Sequence, residues 1–173
     1  MTTLDSPALR ARVDRETVTR ADDHAALRLW LRLLTCSDLV EARVRQRLRQ
    51  SFDCTLPRFD LLSQLDRHPE GLRMGDLSRR MMVTGGNVTA ITDQLEREKL
   101  VRRGPVAGDR RAFLVKLTPA GRRLFQRMAR AHERWIEQVF AALAPDDLAR
   151  LHGLLAVVKR GALALDDRAV NRP

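Results

Sequence analysis

Tyrosine is absent from this chain of 173 residues, and aromatic side chains make up only 4% of it. That is too little for an aromatic-lined sugar site or a β-sandwich core, and ordinary for a helical protein built on Leu and Ala. Cysteine is scarce too, and Cys36 and Cys54 cannot form a disulfide framework. The histidines His24, His68, His132 and His152 are scattered without the spacing of a zinc site, so neither metal nor cofactor is expected. No apolar run approaches the roughly 20 residues of a membrane span. The polar, acid-containing start from Met1 to Asp23 lacks a signal-peptide core, so a cytoplasmic protein without membrane attachment is expected. There is no Gly-rich phosphate loop, no Ser-His-Asp grouping and no carboxylate pair with supporting context. Gly85-Gly86 is too short for a dinucleotide fingerprint, and an enzyme is not expected.

What the chain does have is positive charge and helical periodicity. Lys and Arg number 32 against 22 Asp and Glu, a formal charge of +10. Such a surplus favours polyanions such as nucleic acid, and the cations are mostly arginine, whose planar fork suits phosphates and guanine edges. A generic solvated basic surface is the plain alternative. The hydrophobic fraction of 44% is enough for a packed core.

Residues 1–22 are charged and weakly patterned, as in a flexible arm or frayed helix. From Ala25 onward, Leu27, Trp30, Leu31, Leu34, Val40, Val44 and Leu48 recur at helical spacing, and Leu29 and Leu33 add a second stripe. Apolar surface on two sides predicts a helix over 23–52 that packs on its own core and on a partner chain. Pro57 opens a second helix, and His68-Pro69-Glu70-Gly71 is a turn. A short extended link at Leu72-Arg73-Met74 leads to a helix over 75–81 and another over 85–99. Runs at Val101–Val106 and Phe113–Leu117 read as strands joined by a basic hairpin, 107–111. Thr118 caps a long helix with Pro119 at its first position, and Pro145 starts the last helix. The expected fold is mainly α with a small β-wing: a winged helix-turn-helix over 56–118, flanked by the N-terminal helix and by C-terminal dimerisation helices over 119–165, with a polar tail at 166–173.

The helix-turn-helix spans Leu77 to Leu95, with Leu77, Met81, Val83, Val88, Ile91 and Leu95 expected in the core. Thr84 is the expected N-cap, and Gly85 and Gly86 leave bare backbone N–H groups at a helix start, where a phosphate is favoured. Asn87, Thr89 and Ala90 lie early on the second helix, where recognition helices meet base edges. Asn pairs with adenine, and Thr and Ala methyls meet the thymine methyl. Gln94 and Arg97 lie further down, nearer sugar and phosphate. Between Gly71 and Thr118 ten cations face five acids, a net +5 and half of the total surplus.

Leu77 to Leu95, Leu100-Val101-Arg102-Arg103, Asp109-Arg110-Arg111 and Leu117-Thr118-Pro119-Ala120-Gly121 together resemble the MarR family of winged-helix regulators. The resemblance covers about residues 25–165. It implies a homodimer on a palindromic double-stranded DNA operator, with Asp109 bracing the wing through Arg111 and Arg110 or Arg111 reaching the minor groove. Many members carry a cation where this chain has Gly85 and Ala90, so sequence reading here leans on Asn87, Thr89 and groove shape. The segments 27–36, Thr55–Asp60 and Gly86–Thr89 also resemble a subgroup that responds to hydroxycinnamoyl-CoA. That resemblance implies a small aromatic ligand or aromatic acyl-CoA, in a slot lined by Trp30, Leu33, Phe59 and Leu62, with Arg32, Arg43, Arg58 and Arg73 for the CoA phosphates. The expected mechanism is a repressor released from DNA by its effector, through differential affinity for two states of the dimer.

Two alternatives stay open. One is a redox sensor using Cys36 or Cys54, which needs a stabilised thiolate; Cys54 lies near Arg49 and Arg58 in sequence. The other is a non-specific architectural DNA binder, marked by salt dependence without sequence preference.

Overall fold

The computed structural model describes residues 24–81, 85–106 and 109–170. The predicted arm at 1–22 and the cap Thr84 lie outside the described residues. The chain divides into two compact units, 1–132 and 133–173.

In the first unit, α1 (Ala25–Phe52) ends where Asp53 turns left-handed at φ 47°. Its N–H donates to the Arg49 carbonyl at 3.1 Å and the Cys54 N–H to the Leu48 carbonyl at 3.2 Å, a Schellman-type end. Pro57 lies in the first turn of α2 (Leu56–Asp66), where a missing N–H costs no hydrogen bond. Val44 and Leu48 of α1 are buried, as are Phe59, Leu61, Leu62 and Leu65 of α2. This cluster is the floor on which α3 (Met74–Met81) and α4 (Gly85–Arg97) stand.

Strands β1 (Leu72–Arg73), β2 (Val101–Val106) and β3 (Asp109–Leu117) form an antiparallel sheet in the order β1-β3-β2. Leu72 pairs with Val115 and Val101 with Leu117, so Leu72, Val101, Val115 and Leu117 turn their side chains to the core. A register shift at Pro105/Val106 marks the approach to the wing tip. Gly71, at φ +92°, makes the entry to β1; a Cβ there would stand 2.8 Å from the Val115 carbonyl oxygen.

The expected mostly helical fold with a small wing is what the chain adopts. Some boundaries move. Helix α3 begins at Met74, so the extended link is only Leu72-Arg73. Strand β3 begins at Asp109, so Asp109-Arg110-Arg111 belongs to the strand and not to the hairpin loop. In the helix-turn-helix core, Leu77, Val88, Ile91 and Leu95 are buried, Met81 is half-buried and Val83 is outside the described residues.

Helix α5 (Pro119–Phe140) starts in the first unit, burying Gly121, Phe125, Met128 and Ala131, and crosses into the second. The second unit holds its last turns, a tight turn in which the Leu143 N–H donates to the Phe140 carbonyl at 3.0 Å, and α6 (Pro145–Val170). Helix α6 runs to Val170 and takes in part of the segment expected as a polar tail, because no breaker follows Ala162 before Pro173. Leu154, Leu155, Val157, Val158 and Leu163 stand exposed along it.

Candidate nucleic-acid interface

Helix α4 separates its residues cleanly by face. Val88, Ile91, Thr92 and Leu95 are buried, while Gly86, Asn87, Thr89, Ala90, Gln94 and Arg97 are exposed. Spacings of three and four residues put the exposed group on one stripe, the geometry by which a helix offers side chains to a groove. Gly85 opens the helix. Thr92 escaped the sequence reading: it is fully buried, and its hydroxyl donates to the Val88 carbonyl at 2.8 Å. A polar core residue that satisfies itself within its own helix leaves no outward signal.

Helix α4 is fixed to the wing by an arginine fork. Arg103 of β2 binds Asp93 through Nη2 and Glu96 Oε2 through Nη1 at 2.7 Å, and its backbone N–H donates to Glu96 Oε1 at 3.0 Å. Arg103 is therefore committed to α4, which lowers the free charge expected for this segment. Asp93 and Glu96, three residues apart on one helix side, were the available clue. Arg102 beside it is exposed, as alternation along a strand requires. The side chains of Asp109, Arg110 and Arg111 are outside the described part of the structure.

The far end of α4 is equally fixed. Lys99 takes a left-handed conformation, φ 59°, and the Leu100 N–H donates to the Leu95 carbonyl at 2.9 Å. Thr118 then caps α5: its Oγ1 accepts the Gly121 N–H at 3.0 Å and donates to the Lys99 carbonyl at 2.8 Å. A Cβ on Gly121 would lie 1.9 Å from the Leu100 carbonyl oxygen, so only glycine fits there. Arg58 of α2 binds Glu98, tying that helix to the end of α4.

The proposed effector residues are dispersed in character. Leu62 is fully buried and Phe59 stacks at 5.5 Å on Phe125 and 5.2 Å on His132, so both already serve the core. Trp30 is 57% exposed and Leu33 half-buried on α1. Arg58 is engaged with Glu98, Arg43 sits 3.5 Å from Gln46, and Arg32 and Arg73 are exposed. Burial of His132 lowers its pKa below the usual 6.5. Cys36 is exposed on α1, while Cys54 is buried and its thiol pKa is raised, chiefly by desolvation and against the pull of Arg58. Cys54 therefore keeps its proton, the opposite of a poised thiolate. Among the described residues, no group of metal-ligating side chains occurs, and no helix is long and apolar enough to cross a membrane.

A helix-turn-helix presenting a polar stripe beside a three-stranded wing defines a winged-helix DNA-binding regulator. The MarR-family model matches residues 52–112. A MarR family transcriptional regulator from Silicibacter pomeroyi is 30% identical, with a TM-score of 0.68 over 83% of this chain and 99% of its own. The chain belongs to the MarR family of transcriptional regulators. AbsC, a MarR family regulator from Streptomyces coelicolor, has a TM-score of 0.69 at 25% identity, over 84% of this chain and 99% of its own. The transcriptional activatory protein BadR of Rhodopseudomonas palustris is 29% identical over 164 residues, 92% of this chain and 93% of BadR.

Proposed function

We propose that the protein is a homodimeric, effector-responsive repressor that reads a palindromic operator with α4 in the major groove and Arg110 or Arg111 of the wing in the minor groove. The observation that carries this reading is the polar stripe Asn87, Thr89, Ala90, Gln94 and Arg97 on a helix whose opposite side is core. Dimerisation is supported by large apolar residues exposed on the single chain: Leu27, Leu29 and Trp30 on α1, and Leu154, Val157 and Leu163 on α6. Monomers rarely leave so much apolar surface in water. The effector is a small aromatic compound, an aromatic acyl-CoA in the sharper form. Trp30 and Leu33 supply apolar surface, and Arg32, Arg43 and Arg73 supply exposed positive charge for the phosphates.

Competition of operator against random duplex at fixed salt tests the DNA reading; equal competition would leave an architectural binder instead. Release of the operator by a panel of aromatic acids and their CoA thioesters tests the effector reading, which fails if none changes operator affinity. A second reading, transcriptional activation, is favoured by the name of BadR. A reporter behind the operator separates the two: deletion of the regulator raises expression under repression and lowers it under activation.

A further inference from the structure

The N-terminal half of α5 carries a cavity of about 520 Å³ with no role in the reading above. Its wall is cationic: Arg123, Arg127 and Arg130 follow at steps of four and three, on one stripe of the helix, with Gln126 beside them. Its floor is apolar, formed by Leu100, Ala120 and Leu124. All of these residues belong to the first compact unit. No ion pair or hydrogen bond ties up the three guanidinium groups among the described residues. The neighbouring Arg122, by contrast, reaches Asp66 at 3.6 Å.

Like charges three and four residues apart repel along a helix, so an unneutralised arginine stripe weakens the fold that carries it. Three arginines lining one open groove supply planar forks that can take phosphate oxygens in bidentate pairs. The volume lies within the range of small-molecule sites, about 300–1,000 Å³. We infer that this cavity is a binding site for a free organic polyphosphate of nucleotide type, its phosphates on Arg123, Arg127 and Arg130 and its apolar portion against Leu100 and Leu124. The inference does not depend on the aromatic-effector reading, since it uses none of the residues assigned to that slot. The cavity includes Leu100, three residues past the end of α4, so a bound polyanion would place negative charge near the C-terminal end of that helix.

Calorimetric titration of the full chain with inorganic tripolyphosphate and with ADP, at constant ionic strength, tests it. Saturable binding at one site per chain is expected for both, with R127Q weakening each about tenfold and R123Q/R127Q/R130Q abolishing it. R127K, which keeps the charge and loses the fork, falls between. R160Q, on α6 outside the cavity, leaves binding unchanged; circular dichroism of each variant confirms that the helices persist. Absence of saturable binding, or binding undiminished in the triple variant, overturns the inference. So does a triple variant that loses duplex affinity without any polyphosphate present, because the arginines then serve the DNA backbone.

Discussion

Arg103 holds Glu96 twice, through its side chain at 2.7 Å and its backbone N–H at 3.0 Å, and thereby couples the root of the wing to the recognition helix. The pair is partly exposed, so its contribution to stability is small, about 1 kcal/mol or less. Its effect on DNA is larger. Arg103→Met leaves the Asp93 and Glu96 carboxylates unpaired on α4 and loosens the wing. Operator affinity, measured by fluorescence anisotropy, is expected to fall by about tenfold or more, while the urea midpoint shifts little.

Asn87 is the residue on α4 best equipped to read adenine. Asn87→Ala should cost about 1–3 kcal/mol against the preferred operator and nearly nothing against random duplex. Arg97→Gln should act differently: it weakens both duplexes alike and lowers the salt slope by about one unit. Binding isotherms over a range of salt separate the two behaviours.

Gly121 allows α5 to start against the Leu100 carbonyl. Gly121→Ala forces that contact apart and should destabilise the protein by about 1–3 kcal/mol, seen as a lower urea midpoint. Thr118→Ala, which removes a cap without a clash, should cost about 1 kcal/mol.

Cys54 should react with iodoacetamide about tenfold or more slowly in the native protein than in urea, because burial keeps it a thiol. Cys54→Ser should retain operator affinity before and after peroxide. Peroxide release confined to the wild type would replace the aromatic effector with redox sensing.

His132 has a pKa lowered by burial, so the unfolded chain takes up a proton at higher pH than the folded one. Stability therefore declines as pH falls from about 6.5 toward the folded value, and this group has no effect above about 6.5. His132→Gln should flatten this decline in urea melts collected between pH 7.5 and 5.

Much of this molecule was legible in its residues. The three-four spacing of Val88, Ile91 and Leu95 marked the inward side of α4, and Thr118-Pro119 marked the start of α5. What escaped was tertiary. Nothing local distinguishes Arg103, bound to α4, from exposed Arg102 beside it; the sheet register decides. Asp109-Arg110-Arg111 looks like loop chemistry because it is charged, yet its backbone continues the ladder of β3. Phe59 and Leu62 look equally suited to a slot and a core, and only the packing of α5 on α2 shows them as core. The arginine stripe of α5 escaped as a site, because its apolar floor comes partly from Leu100, in a different segment of the chain.

The Leu100 carbonyl oxygen accepts the Thr118 N–H at 3.0 Å and lies 3.2 Å from the Thr118 hydroxyl, directly under Gly121. The end of α4, the base of the wing and the first turn of α5 thus meet at one peptide group with no slack between them. Such a joint behaves as a rigid crank: a tilt imposed on the start of α5 is not absorbed by a compliant loop but delivered to α4 as a change in its angle.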